Sequence, residues 1–403
     1  MCLSMVADGR QETTSDTGEV GELMIMFEDS TLREGEQSPG VAFSPEEKVE
    51  IATRLAEVGV DALEVGTPAM GGPEEDAIRL LLDADLDVRL IGWNRGRLSD
   101  LEASFDCGLS AVHIGLPASD HHLEKKFEKS REWVVEVMQE MVGYAKGQGS
   151  WVSVSAEDVA RADAEFLIEY AQAVKDAGAD RLRLSDTIGI LRPQTAKEIF
   201  ANVSAVGIPL QAHMHNDYGL ATANTLAAVE GGAEHVHATV NGLGERAGIA
   251  PIDELILGLQ RHLDIDQGWR TECLLPLCEY VAKISGRRVA SNKPVTGDAI
   301  FAHESGIHVD GVLRIPDSFE PFPPEAVGAE RRIVIGKHSG SAAIQHVLAS
   351  RGVEVERGGL DQVTEAVRYE AVRLKREISP EETVEIHRAV TEAENGAGRS
   401  HHG

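Results

Sequence analysis

The chain has 403 residues, 42% hydrophobic and 26% charged, which is ordinary globular composition and length enough for one large α/β domain with an extension. Its formal net charge of −29, from 67 acidic against 38 basic residues, repels nucleic acid and anionic membranes, and aromatics at 4% leave little to stack on bases. No apolar run approaches the roughly 20 residues of a membrane helix, and Cys2, Cys107, Cys273 and Cys278 form neither a CxxC pair nor a disulfide framework, so a reducing, cytoplasmic setting is expected.

In chain order, residues 1–22 lack a basic flank followed by an apolar core, and are expected to be a disordered polar extension rather than a secretory signal. Strand-like runs then recur at 24–28 (MIMFE), 62–66 (ALEVG), 87–93 (DVRLIGW), 111–117 (AVHIGLP), 151–157 (WVSVSAE), 181–187 (RLRLSDT), 209–215 (PLQAHMH) and 235–241 (HVHATVN). Helix signals separate most of them. Ser44-Pro45-Glu46-Glu47 reads as a capping box with proline at the first helical position. Val49, Ala52, Leu55 and Val58 follow as a helical stripe, and Gly59, Gly108, Gly178 and Gly232 stand where left-handed C-caps want glycine. Eight βα units are what a closed parallel barrel needs; an open doubly wound sheet is the alternative, but no GxGxxG follows the first strand. The fold expected over 23–265 is therefore α/β, a (β/α)₈ TIM barrel. Past residue 262 the pattern breaks: 270–286 looks helical, 292–340 is rich in Gly, Pro and His, and helices return near 340–350 and 360–377. Residues 266–391 are expected to be a C-terminal helical subdomain contributing to the active site, and the polar stretch 392–403 a disordered tail.

A barrel of this kind carries its chemistry at the C-terminal ends of its strands. His213 and His215, at i and i+2 of the seventh strand, share one face and can ligate one ion. A bare HxH is as often two ordinary loop histidines; the strand-end position favours metal. Arg33-Glu34-Gly35-Glu36-Gln37, after the first strand, could supply a carboxylate to complete the site and an arginine to stabilise an oxyanion, although alone it reads as a mixed-charge loop. Glu64 reads as a structural partner for Arg33. His235 and His237 read as packing, Cys273 and Cys278 as helix core, and His401 and His402 as tail composition.

Taken together, several segments resemble the isopropylmalate and homocitrate synthase family. They are Leu32-Arg33-Glu34-Gly35-Glu36-Gln37 with Lys48 beyond it, His213-Met214-His215-Asn216-Asp217, Asn241-Gly-Leu-Gly-Glu245-Arg246-Ala-Gly248, and Ser305-Gly306-Ile307-His308-Val309-Asp310-Gly311. The likeness runs in order from about residue 24 to 340. Within the family the nearest likeness is to homocitrate synthases associated with nitrogenase cofactor assembly, on stretches such as Ser119-Asp120-His121-His122-Leu123. The resemblance implies condensation of acetyl-CoA with 2-oxoglutarate to give homocitrate. It implies a divalent metal (Mg, Mn, Zn, Co or Fe) on Glu34, His213 and His215, oxyanion stabilisation by Arg33, and substrate contacts from Thr187 and Ser155. Glu157 and His308 would form the acid/base pair, with His308 acting across a homodimer interface. His338 would touch coenzyme A or start a helix.

The sequence also departs from the family. Ile249 stands where some relatives carry an asparagine near the metal, and Ser153 where lysine-pathway homocitrate synthases carry an arginine for the distal carboxylate. Arg183 shares a strand face with Thr187, so it is expected to point inward and to bind the C5 carboxylate of 2-oxoglutarate in place of that arginine. Pairing with barrel glutamates is the alternative. Rival functions are isopropylmalate, citramalate, Re-citrate or phosphonomethylmalate synthase, and a barrel aldolase or lyase running C–C cleavage.

Overall fold

Alternation of apolar and polar residues builds the frame of the molecule. A computed structural model describes residues 24–355 and 360–399; the expected extension 1–22, Cys2, His401 and His402 lie outside the described residues. Eight strands form one closed parallel barrel: β1 Met26–Asp29, β2 Ala62–Gly66, β3 Arg89–Arg95, β4 Ala111–Gly115, β5 Trp151–Glu157, β6 Arg181–Asp186, β7 Leu210–Met214 and β8 His235–Ala238. All eight coincide with the expected runs to within a few residues. β8 stops early because Val240–Gly242 turns, with Asn241 in the left-handed region at φ 59°. β8 closes on β1 in parallel, pairing Phe27 with Val236 and Glu28 with His237.

Each strand feeds a helix: α1 Pro45–Val58, α2 Pro73–Asp83, α3 Leu98–Asp106, α4 Arg131–Gly147, α5 Ala164–Asp176, α6 Pro193–Ser204, α7 Ala221–Glu230 and α8 Ile252–His262. α1 shows how the sequence sets one. Ser44 accepts from the Glu47 amide while the Glu47 carboxylate accepts from the Ser44 amide, so two orphan donors are satisfied reciprocally. Gly59 ends the helix at φ 99°, a conformation that costs other residues a Cβ clash. Ile51, Ala52, Leu55 and Val58 are fully buried against the barrel. On the strands, Val152, Val154, Leu182, Leu184 and Val236 turn outward into this layer and are completely buried. The hydrocarbon core thus lies between strands and helices, not inside the barrel.

The C-terminal region adds α9 Leu274–Ser285, α10 Gly306–Arg314, α11 Ser341–Ser350, α12 Leu360–Leu374 and α13 Pro380–Arg399, with a two-stranded parallel sheet of Ala302–His303 and Arg332–Ile333. α9 packs on the barrel core through Leu274, Leu277, Cys278 and Val281. Val309, Ile335, Ile344, Val347, Val363, Val367 and Ile378 form a second, separate core. The Gly-, Pro- and His-rich stretch 292–340 contains α10, a short helix flanked by Ser305 and Ile315. One expectation is corrected here. The tail expected to be disordered from residue 392 is helical as far as Arg399, because α13 has its own capping box: Ser379 and Glu382 exchange backbone hydrogen bonds at 2.9 and 3.1 Å. Among the described residues no helix is long and apolar enough to cross a membrane.

Replacing Ser44 by alanine removes half of the first capping box and is expected to lower the unfolding free energy by about 1 kcal/mol, read as a lower denaturant midpoint at unchanged m-value. An unshifted midpoint would show that Pro45 and Gly59 set this helix without the cap.

Candidate active site

The barrel interior is polar. Inward positions carry Glu28, Glu64, His113, Ser153, Ser155, Arg181, Arg183, Gln211, His213 and His237, all buried. Their register explains their contacts: β5–β6 pairs Ser155 with Arg183, β6–β7 pairs Arg183 with Gln211, and β8–β1 sets His237 beside Glu28. Burial of charge demands partners. Arg181 donates to Glu28 at 2.6 Å and to Ser153 at 3.1 Å. Arg183 donates to Glu28 at 2.7 Å, Glu64 at 2.9 Å and Gln211 at 2.6 Å. Burial alone would raise the Glu28 carboxyl, but Arg181 and Arg183 overcome it and hold it well below the usual carboxylate range.

Above this layer, at the C-terminal ends of the strands, a cavity of about 190 Å³ opens, lined by Arg33, Glu34, His113, Glu157, Thr187 and His215 among others. The ligand atoms of Glu34, His213 and His215 all lie within 4.8 Å of one another, and all three residues are buried. The two imidazole Nε2 atoms face each other at 3.3 Å, so at most one can carry a hydrogen there, and with both ring hydrogens on Nδ1 the two lone pairs would converge on one cation. Burial pushes both imidazoles down and keeps them neutral, which frees those lone pairs. Burial also works against ionisation of Glu34, but the Arg33 charge, helped by the Glu245 amide, outweighs it and holds the carboxyl below its ordinary value. The donor set fits a divalent ion. Ile249, fully buried and bridged to His215, can add no ligand.

Loops hold these ligands in place. The Glu245 amide donates to Glu34 at 3.1 Å, and Arg246 grips Asp217 with two bonds of 2.8 Å. Gly248 has φ 77°, and a Cβ there would stand 1.7 Å from the Gly242 carbonyl, so the turn admits only glycine.

The other expected residues fall out as follows. Arg33 lines the cavity; it binds Glu64 through Nε and Nη2 and reaches Glu34 and Gln37 through Nη1, leaving one N–H for a ligand. Glu64 is thus its structural partner. Glu157 lines the cavity without an ion pair among the described residues, and burial raises its carboxyl pKa. Thr187 Oγ1 accepts from the Asp158 amide at 2.8 Å, which leaves its hydroxyl hydrogen free toward the cavity. Ser155 also lines it.

Arg183 points inward as expected and lines the cavity; each of its three nitrogens has a protein acceptor and two carboxylates match its charge, while two of its five N–H groups are not engaged by them. His308 is not among the residues lining the cavity of its own chain; on α10 it stacks on Phe319 with ring centroids 4.2 Å apart. Sequence reasoning also missed residues. His113 and Trp93 line the cavity. His113 Nδ1 meets Ser153 Oγ at 2.9 Å while its buried Nε2 has no partner among the described residues. Its place in β4, two residues before Gly115 on the same face, was a usable signal. His237, read as packing, is hydrogen-bonded to His213.

Comparison with known proteins gives consistent results. Residues 24–281 match the HMGL-like family and residues 295–375 the homocitrate synthase post-HMGL domain-like family. The chain is 47% identical over 364 residues, 90% of itself and 98% of the other protein, to 2-phosphonomethylmalate synthase of Streptomyces rubellomurinus. It is 45% identical to 2-isopropylmalate synthase 2 of Caldanaerobacter subterraneus subsp. tengcongensis, over 91% of itself and 96% of that protein. It is 43% identical to homocitrate synthase 1 of a Nostoc species, over 90% and 96%.

The pairing of Arg183 makes a prediction about stability. Arg183→Ala strands Glu28 and Glu64 against fewer cations, and is expected to lower the unfolding free energy by about 3–5 kcal/mol in denaturant titration. A loss below about 1 kcal/mol, typical of a surface ion pair, would show that the arginine is held for another purpose.

Proposed function

The chain belongs to the HMGL-like family, and we propose that it is a synthase joining the acetyl group of acetyl-CoA to C2 of a 2-oxo acid that carries a second acidic group. The observation that carries this reading is the lining of the cavity. No aliphatic side chain contributes to it; Arg33, His113, Ser155, Ser185 and Thr187 do. An isopropyl group there would meet only the Trp93 ring as an apolar wall and would leave buried donors unpaired. An acidic side chain satisfies them.

Glu34, His213 and His215 would hold the divalent ion, which when bound supplies Lewis acidity toward the keto and carboxylate oxygens of the oxo acid. Mg, Mn, Fe, Co or Zn suits this donor set. The remaining work falls to the chain's own groups. Glu157, its pKa raised by burial, accepts a proton from the acetyl methyl group. The carbanion forms the C–C bond at C2 while Arg33 lends positive charge and its remaining N–H to the developing oxyanion. Thr187 donates its free hydroxyl hydrogen to the C1 carboxylate, with Ser155 beside it in the lining. The oxyanion takes a proton to become the tertiary hydroxyl. Water then cleaves the thioester and releases CoA thiol, which draws the sequence toward synthesis. His308 would serve as second proton-transfer group from the other copy in a homodimer, since its own chain keeps it on Phe319.

Oxaloacetate, 2-oxoglutarate and 3-phosphonopyruvate all carry a second acidic group, and the last two can be compared. 2-Oxoglutarate, giving homocitrate, is the reading expected from the sequence. Removing the acetyl-derived carbons from 2-phosphonomethylmalate leaves 3-phosphonopyruvate, whose acidic group sits nearer C2. Arg183, although it lines the cavity, is already matched in charge by Glu28 and Glu64, which favours this shorter acid over one that relies on it to meet a distant C5 carboxylate.

A thiol-release assay across 2-oxoglutarate, 3-phosphonopyruvate, oxaloacetate, pyruvate and 2-oxoisovalerate tests the reading. One of the acidic compounds should exceed 2-oxoisovalerate in kcat/KM by about 10²-fold or more. Preference for 2-oxoisovalerate would move the enzyme to isopropylmalate synthesis. Chelation should abolish turnover and a divalent ion restore it; His215→Ala should lose it with the melting temperature retained.

The pH profile gives a separate check. Glu157 works ionised, so kcat/KM should fall as pH drops through its raised pKa, with the acid limb above the ordinary glutamate value of about 4.3. Glu157→Gln should remove that limb and reduce the rate by about 10²–10⁴-fold. A limb at the ordinary value would assign the proton to another group.

A further inference from the structure

We propose that His237 is a positioning residue: it fixes the tautomer of His213, so that His213 presents an Nε2 lone pair to the metal site before any ion arrives. This rests on the reading of Glu34, His213 and His215 as metal ligands.

Strand register brings the parts together. β7–β8 pairs Gln211 with His235, which sets His213 beside His237 two residues on; β8–β1 pairs His237 with Glu28. The result is a line across three neighbouring strands. His213 Nδ1 meets His237 Nδ1 at 2.7 Å, and His237 Nε2 lies 3.3 Å from Glu28 Oε1 and 3.7 Å from Glu64 Oε2. The last two contacts are off-line for full hydrogen bonds, yet both are close enough for the charge to be felt.

A 2.7 Å separation between two ring nitrogens requires that one carry a hydrogen and the other a lone pair. The carboxylates decide which. Two anionic groups face His237 Nε2, so that nitrogen carries the hydrogen and its lone pair sits on Nδ1. His213 Nδ1 must then be the donor. A neutral imidazole has one N–H, so the lone pair of His213 is on Nε2, aimed at His215 and Glu34. The carboxylates do not form a second metal site with His237, although the three groups lie close enough. Arg181, Arg183 and Arg33 already occupy their oxygens. His215 lacks any such backing: its buried Nδ1 has no partner among the described residues. The two imidazole ligands are therefore unequal, one locked from behind and one free to adjust. A carboxylate behind a metal-bound histidine is a recurrent arrangement; here an extra imidazole is interposed.

The test measures Mn²⁺ affinity by the free-ion EPR signal, together with the melting temperature of the metal-free protein. Wild type should bind one ion at a site lost in His213→Ala; absence of that site would sink the metal reading itself. Given that site, His237→Leu should raise Kd by about 10–100-fold. His237→Asn keeps an acceptor oxygen on the Nδ1 side and should stay close to wild type. A wild-type Kd in His237→Leu, whatever its melting temperature, would overturn the proposal, because a merely structural role moves stability and not affinity. Should His237→Leu fail to fold, ring ¹⁵N spectra of the metal-free wild type decide, with His213 assigned by its absence in His213→Asn. An Nδ1–H tautomer at His213 supports the proposal and an Nε2–H tautomer overturns it.

Discussion

Three carboxylates and three guanidiniums share the inside of this barrel, and everything at its mouth depends on their balance. Glu28, Glu34 and Glu64 face Arg33, Arg181 and Arg183 through ion pairs of 2.5–2.9 Å. A parallel barrel more often fills this space with branched hydrocarbon. Here hydrocarbon is confined to the strand–helix layer, where Val152, Leu182 and Val236 are fully buried. An unmatched ion in such an interior is strongly destabilising, so each member constrains the positions of the rest. Glu64 shows the consequence: one oxygen holds Arg33 at the cavity and the other holds Arg183 beneath it.

That arrangement divides labour between layers. The lower ions orient the upper ligands and have no charge to spare for a ligand of their own. Arg33 reaches the cavity already anchored at Nε, and it anchors Glu34 in turn. His213 and His215 stay neutral because burial disfavours their protonation, which suits them to a cation. Glu157 makes no ion pair among the described residues, burial raises its pKa, and it is the group assigned a proton. The acidic surface of the protein takes no direct part in this; the charges that matter here lie inside, and all of them but Glu157 are paired.

Much of this was legible in the sequence. Alternation along RLRLSD showed that Arg181, Arg183 and Ser185 share a face, and period two placed His213 with His215. The eight strands and the Ser44 capping box follow from local rules. Partnerships across the barrel do not. Arg183 and Glu28 stand 155 residues apart, and only closure of β8 on β1 tells which anion the arginine meets. His237 was set aside as packing for the same reason, since its neighbour is fixed by strand register. His308 was placed by family likeness, and a single chain leaves it on Phe319. The tail is a different kind of miss. Ser379-Pro380-Glu381-Glu382 repeats the four residues that open α1, yet the charged sequence after it hid the apolar face formed by Val384, Ile386 and Val390.

Glu28 has a further consequence, for the order in which the chain assembles. It sits on the first strand, and its partners Arg181, Arg183 and Gln211 come from the sixth and seventh, up to 183 residues later. Until those strands arrive, the first can bury its hydrophobic face but not its glutamate, which keeps its hydration shell. Contacts of such sequence separation are slow to form, since a long loop must close before they contribute. Seam closure therefore dehydrates several ions in one event, and the first and last strands of the barrel are expected to dock late and together. A nascent chain released before the eighth strand would hold an open ring of seven strands with a wet, charged inner wall, unable to complete itself.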